Sequence, residues 1–287
     1  MPAPVSTSNP PADPSLSLPR LLCLHGGGVN AAIFAAQSRS LIKHLSRSFR
    51  LVWADAPFLC PPHADVIAVY GTYAPFRRWL RWLPEHADID ADSAIEEIAY
   101  ALRLAMEDDD RAGGRGEWVG LMGFSQGAKL AGSMLLEQQA REARAAAAAA
   151  TGEGVGVGVG TCGVEGVRWR FGVLLAGRAP LARLNEEIQH SRALVGAEAI
   201  SEGFGFVDEV EEEAVLRTPT VHVHGTADPG LHLHRRLLEQ YCEEGSATLV
   251  EWDGAHRIPI KGKDVERVVN AIYDVAEKTG VPVTRSV

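Results

Sequence analysis

Positive charge is scarce in this sequence. Its 28 lysines and arginines stand against 37 aspartates and glutamates, a formal net charge of -9. General nucleic-acid affinity needs a basic surface that displaces counterions from phosphate, so nucleic acid is not an expected partner. Cysteine is scarce too. Cys23, Cys60, Cys162 and Cys242 are scattered without the paired spacing of a zinc site, and Cys23 lies in an apolar run where it reads as a small core residue. The segment from Met1 to Pro19 is rich in Pro and Ser and has no hydrophobic stretch. It reads as a disordered leader, neither signal peptide nor membrane anchor, which makes the cytoplasm the default location. Apolar residues are plentiful at 46% of 287 positions, enough for one sizeable core, and residues 20–280 read as a single domain.

The densest signal is Gly123-Phe124-Ser125-Gln126-Gly127. An apolar run, Trp118 to Met122, leads into it, and small and apolar residues from Ala128 to Leu136 suit a buried helix leading out. A serine between two glycines at such a strand-to-helix turn is the pattern of a nucleophile elbow. The turn is too tight for bulky neighbours, and it holds the hydroxyl on a strained corner above the sheet.

A serine hydroxyl is a weak nucleophile at neutral pH, so it needs a base and a residue that orients the base, in the chain order Ser, Asp or Glu, His. Asp228 stands just beyond the β-rich run Pro219 to Gly225. His256 follows a further helical segment, Leu231 to Cys242, and a strand, Thr248 to Trp252. Both fall beyond the carboxyl ends of strands, the edge where parallel sheets place their sites. Asp253 is the rival acid and reads as an ordinary loop carboxylate. An oxyanion hole needs two backbone N–H groups. The buried run Leu21 to Leu24 ends in His25-Gly26-Gly27-Gly28, whose glycines allow close approach to a substrate. The N–H groups of Gly27 and Gln126 are assigned to it, and His25 is read as structural. Two His-x-His pairs, His222/His224 and His232/His234, lie on no recognisable ligand scaffold, and in a helix a separation of two points the rings apart. No metal is assigned.

Strands alternate with helices at the spacing of a mostly parallel sheet covered on both faces. A helix is expected over Asn30 to Ser48, a strand over Phe49 to Ala54, and a helix from near Asp92 or Ser93 that ends in an acidic, glycine-rich turn, Glu107 to Glu117. Further elements are a strand over Arg170 to Leu175 and a last helix over Asp264 to Glu277. Residues 141–166, an alanine run followed by alternating Gly and Val, read as a helix extension fading into a mobile loop.

Five of these features together resemble the family of serine hydrolases called FSH, and within it the fungal esterases and thioesterases encoded beside polyketide synthases. They are Leu24 to Gly28, Asp55-Ala56-Pro57, Gly123 to Gly127, His224 to Asp228, and Gly254-Ala255-His256. The resemblance runs from about Leu21 to about Glu277 and implies an α/β-hydrolase fold, the triad Ser125, Asp228 and His256, no cofactor, and hydrolysis of a short-chain ester or a carrier-bound thioester. The insert at 141–166 departs from the family pattern.

Substrate class has to come from a cap segment, about residues 60–90. Tyr70, Tyr73, Phe76, Trp79 and Trp82 recur every third residue, with Arg77, Arg78 and Arg81 among them. A spacing of three places them near one face of a helix or helical turn, which either forms the cap's own core or lines a pocket. Tyr73, Phe76, Trp79 and Trp82 are the candidate substrate-binding residues, suited to a hydrophobic acyl or polyketide chain. The arginines suit an acidic carrier protein, such as a polyketide synthase carrier domain. The expected reaction is acyl transfer to water. Transfer to a substrate hydroxyl, giving a lactone or new ester, is the alternative within the enzyme class, and a non-catalytic binding protein is the alternative outside it.

Overall fold

The computed structural model describes residues 13–62, 64–151 and 166–285. In chain order the elements are β1 (Arg20–Leu24), α1 (Ala31–Gln37), α2 (Arg39–Leu45), β2 (Arg50–Ala54), β3 (Phe58–Leu59), α3 (Ala64–Tyr70), β4 (Arg77–Arg78), α4 (Ala91–Arg111), β5 (Trp118–Phe124), α5 (Gln126–Thr151), β6 (Phe171–Leu175), β7 (Ala182–Arg183), β8 (Val195–Gly196), β9 (Thr220–Gly225), α6 (Leu231–Tyr241), β10 (Ala247–Trp252) and α7 (Gly262–Lys278).

Six strands form the main sheet in the order β10-β9-β6-β5-β1-β2, every neighbouring pair parallel. All residues of β1, β5, β6 and β9 are buried; β5 and β6 read accordingly as continuous apolar runs, whereas β9 alternates Val with buried His222 and His224. Successive side chains of β1 enter opposite cores. Leu22 and Leu24 join Ile95 of α4, Leu130 of α5 and Leu237 of α6, whereas Leu21 and Cys23 join Phe34 of α1, Leu41 of α2 and Val268 of α7. The chain runs outward from β1 to β2, then returns to the other side of β1 with β5. The loops after β1 and β5 therefore meet at the reversal of strand order, where open parallel sheets leave a crevice for ligands.

Several expectations need correction. The helix expected over Asn30 to Ser48 is two helices, α1 and α2, separated at the buried Ser38, whose N–H turns back to the carbonyls of Phe34 and Ala35. Helix α4 starts at Ala91 with Asp90 accepting the Ser93 N–H at 2.9 Å. It continues through the expected acidic turn to Arg111 because Asp109 is drawn inward between Arg20 at 3.2 Å and Arg50 at 2.7 Å. Residues 13–19 of the expected leader are structured: Asp13 caps a short helical turn, Pro14–Ser17, and pairs with Arg50 at 3.1 Å. Residues 1–12 lie outside the described part. Helix α5 extends through the alanine run to Thr151, and the remainder of the 141–166 insert falls outside the described residues apart from Gly166. Among the described residues, no helix is long and apolar enough to cross a membrane.

The cap is not a single helical face. Tyr70 ends α3, Tyr73 closes a 3-10 turn over Gly71–Tyr73, Phe76 lies in the connection to β4, and Trp79 and Trp82 follow β4. β3 and β4 pair antiparallel and anchor this segment, and Val29 bridges to Arg77. The three-residue spacing thus marks no common face, because the chain changes conformation four times within it.

Candidate active site

Ser125 occupies the turn between β5 and α5 with φ +53°, in the left-handed region. A non-glycine residue there is strained, and the tight turn imposes the strain. A Cβ at Gly123 would meet the Gly127 carbonyl oxygen at 2.2 Å, and one at Gly127 would meet the Leu24 carbonyl oxygen at 2.0 Å. Both flanking glycines are steric requirements of the turn.

Asp228 follows β9, its carboxylate fully buried, with Oδ1 accepting the Gly230 N–H at 2.8 Å. The loop that carries His256 is stitched to the Asp228 loop by two backbone bonds, Thr226 N–H to Trp252 O and Ala227 N–H to Gly254 O, both 2.9 Å. A Cβ at Gly225 would stand 2.3 Å from the Gly254 oxygen, so the two loops touch backbone to backbone. That contact brings residues 28 apart in sequence together. His256 Nδ1 lies 2.6 Å from Asp228 Oδ2, and its Nε2 lies 2.9 Å from Ser125 Oγ. With Nδ1–H donating to the carboxylate, Nε2 is left to accept the serine proton. Asp253 is exposed and takes no part.

Burial lowers the pKa of His256, against the opposing hydrogen bond and charge of Asp228, so its imidazole is neutral at pH 7. Burial acts to raise the Asp228 carboxyl, but the Gly230 N–H and the contact with His256 outweigh it and hold the group below its ordinary value.

Neither the Gly27 N–H nor the Gln126 N–H donates to another group among the described residues, and both lie at the mouth of the β1–β5 crevice. The side chain of Gln126 is engaged: its Oε1 accepts the N–H groups of Trp79 at 2.7 Å and Leu80 at 3.1 Å, and its Nε2 donates to the Leu80 carbonyl at 2.9 Å. The residue after the serine thereby clamps the cap over the site. Sequence reasoning gave Gln126 a backbone role only. Asn30 ties the other end, capping α1 at Ile33 N and donating to the carbonyls of Tyr73 and Pro75. His25 is structural, its Nδ1–H donating to Gly26 O at 2.7 Å and its Nε2 accepting the Ala56 N–H at 3.0 Å. Burial pushes its pKa down to about 4.

The four candidate substrate-binding aromatics divide. Trp82 lies against Gly27, and Tyr73 is exposed. Phe76 is half-buried. Trp79 is 0% exposed, with its indole N–H on the His25 carbonyl at 2.9 Å, so it is built into the cap's core. The arginines are also used internally. Arg77 donates to Ala56 O at 3.1 Å, Arg78 is buried over the Phe58 ring at 4.7 Å, and Arg81 pairs with Asp88 at 2.5 Å.

Two residues approach Asp228 that the sequence does not tie to it. Arg178, after β6, approaches Oδ1 at 3.7 Å, and His234 of α6 approaches Oδ2 at 3.6 Å. His232 is exposed while His234 is buried, as helical geometry dictates. In the sequence His234 is half of the His232/His234 pair, to which no ligand role is assigned; its contact with Asp228 is set by how α6 packs on β9, which no spacing along the chain shows. The ligand atoms of Asp228, His234 and His256 all lie within 4.8 Å of one another.

A family described as Serine hydrolase (FSH1) matches residues 15–268. The chain belongs to this serine hydrolase family. The enzyme is similar to esterase pigG of Monascus ruber, 50% identical over 274 residues that cover 94% of this chain and 95% of that protein. It is also similar to the probable esterase tazC of Aspergillus terreus, 46% identical with 94% and 96% covered, and to esterase citA of Monascus ruber, 45% identical with 97% and 100% covered. The α/β-hydrolase fold and serine hydrolase membership expected from the sequence are thus met.

Proposed function

We propose that this serine hydrolase cleaves a carboxylic ester, or a carrier-bound thioester, with a hydrophobic acyl chain through an acyl-enzyme on Ser125. The observation that carries the reading is His256 joined to both Ser125 Oγ and Asp228 Oδ2 within hydrogen-bond distance. In this reading His256 Nε2 takes the hydroxyl proton as Oγ attacks the carbonyl carbon. The N–H groups of Gly27 and Gln126 hold the developing oxyanion, and Asp228 orients the imidazole and stabilises its charged form. Collapse of the tetrahedral intermediate breaks the bond to the leaving group. An alcohol departs with the proton from His256, whereas a thiol departs as thiolate and takes up that proton once free, so His256 is neutral again in either case. Water then attacks the acyl-enzyme, giving its proton to His256, and the acid is released.

The esterase names of similar proteins at 45–50% identity support the ester class. The apolar residues of the cap, with Trp82 beside the proposed oxyanion hole, support a hydrophobic acyl group. Because Arg77, Arg78 and Arg81 are engaged within the cap, the carrier reading rests on the acyl chemistry rather than on a cationic docking face.

The test is intact-mass analysis after treatment with a fluorophosphonate probe, beside hydrolysis of p-nitrophenyl esters of increasing chain length and of acylated carrier protein. One adduct on Ser125 and turnover that improves with chain length are expected. An adduct elsewhere, or full activity in Ser125→Ala, overturns the mechanism.

A further inference from the structure

The carboxylate that orients His256 has a second imidazole beside it that the proposed reaction does not use. His234 is 0% exposed, its Nε2 lies 3.6 Å from Asp228 Oδ2, and neither of its ring nitrogens has a hydrogen-bond partner among the described residues. Leaving a buried polar nitrogen without a partner is costly, and such groups in native folds usually mark an ordered water or an ion. His224 extends the pattern. Its ring centroid is 5.4 Å from that of His234, and both of its nitrogens are also unpartnered. His256 stands on the other side, its ring centroid 6.1 Å from that of His234.

We propose that Asp228 Oδ2, His234 Nε2 and His256 Nδ1 form a binding site for a divalent transition ion of the zinc type, and that occupation of this site switches the hydrolase off. Two imidazole nitrogens and a carboxylate oxygen are the donor set zinc takes, with a fourth position open to water. Each of the three residues offers a ligand atom within 4.8 Å of the others, and Oδ2 and Nδ1, now hydrogen-bonded at 2.6 Å, must part by roughly 0.7 Å for both to bind one tetrahedral ion. The His224 ring, 5.4 Å from the His234 ring between centroids, is the neighbouring polar group that could support this ligand. Arg178 lies on the opposite carboxylate oxygen, Oδ1, and leaves Oδ2 as the shared ligand atom, while its charge weakens the site.

The inhibitory consequence follows from one proton. In the metal-free enzyme His256 carries it on Nδ1, and the Nε2 lone pair faces Ser125. A metal bond to Nδ1 takes that position, and the neutral ring must carry its proton on Nε2 instead. Nε2 then donates to Ser125 Oγ and no longer accepts from it. The number of protons on the ring is unchanged, but the base is lost and Asp228 is diverted to the metal. This consequence rests on the reading of His256 as the general base, whereas the metal site itself does not.

The experiment has two arms on the full-length protein. In the first, zinc chloride is titrated into p-nitrophenyl ester hydrolysis in a non-chelating buffer, each variant referred to its own rate in EDTA. Zinc should inhibit the wild type reversibly, and His234→Leu should raise the inhibitory concentration by about tenfold or more. In the second, cobalt(II) is titrated into Ser125→Ala, which cannot turn over substrate through the proposed acyl-enzyme. A one-to-one visible d–d band is expected there and is lost on adding His234→Leu. Should His234→Leu fail to fold, Asp228→Asn takes its place in the cobalt titration, with loss of the band supporting the site. No cobalt band in Ser125→Ala, or a band that survives loss of the His234 or Asp228 ligand, overturns the proposal. Undiminished hydrolysis by Ser125→Ala would instead sink the acyl-enzyme reading, and the cobalt arm would still decide the metal site.

Discussion

The indole of Trp82 lies against Gly27 with no room between them: a Cβ on Gly27 would stand 2.8 Å from Trp82 Cζ3. Gly27→Ala therefore forces the indole or the proposed oxyanion loop to move. Loss of one oxyanion donor costs on the order of a hundredfold in kcat. Gly27→Ala is expected to approach that loss, and adding Trp82→Ala should recover part of it by vacating the space. Kinetics of both single variants and the double variant check this, since purely additive losses would show that the two residues do not couple.

Removing the proposed nucleophile should be far more damaging. Ser125→Ala is expected to abolish fluorophosphonate labelling and to lower kcat by about six orders of magnitude, and Asp228→Asn by about four. Burial lowers the His256 pKa from its ordinary 6.5, and in the proposed mechanism the protonated ring cannot act as base. The acid limb of kcat/KM should thus have its midpoint below 6.5, with activity level above it. A midpoint above that value contradicts the burial effect.

Trp79 is a stability residue on the present geometry, fully buried with its indole N–H satisfied by His25 O. Trp79→Ala should cost about 3–5 kcal/mol of folding free energy. Its dependence of kcat/KM on ester chain length should match that of the wild type. A selective loss of long-chain substrates would instead make Trp79 part of the acyl pocket.

Lys129, one helical turn after Ser125, is buried and donates to Ser201 Oγ at 2.5 Å. Burial pushes its pKa from 10.5 down to about 7. Below pH 7 both folded and unfolded chains carry the proton, and the cost of burying the charge is felt in full. Between about 7 and 10.5 the unfolded chain binds more protons, so this residue's contribution to stability improves as pH rises. Lys129→Met should therefore stabilise the fold by on the order of 1–3 kcal/mol at pH 6 and by less at pH 9. Denaturant midpoints at the two pH values measure the difference. An equal gain at both would mean the amine is not titrating as described.

Periodicity and glycine placement carried the fold class because both are local signals. Apolar runs such as Leu21 to Leu24 and Trp118 to Met122 have to be covered on two faces, and Gly123 is required by the Gly127 carbonyl within the turn itself, although Gly127 is required by Leu24 O on the neighbouring strand. The same locality misled at the cap. A spacing of three from Tyr70 to Trp82 suggested one helical face, but a cap that crosses from α3 through a 3-10 turn to β4 has no constant period, and its rings are oriented by distant partners. Trp79 answers to His25 and Gln126, and Trp82 answers to Gly27. Helix α4 outran its expected end for a similar reason, since Asp109 is held by arginines 89 and 59 residues away in sequence.

By itself, the amino-acid sequence determined the order of the six main-sheet strands, the tight turn at Ser125 and the chain order of Ser125, Asp228 and His256, because these depend on backbone sterics and on which face of each element must leave water. Tertiary structure alone decided which side chains share space: that His234 and not His232 reaches Asp228, that Arg178 covers its other oxygen, that the cap arginines are spent inside the cap, and that Gln126 clamps Trp79 and Leu80. Each of these depends on the relative placement of elements tens of residues apart. No residue pattern along one element encodes that placement, because it is set by how the two cores pack against opposite faces of the sheet.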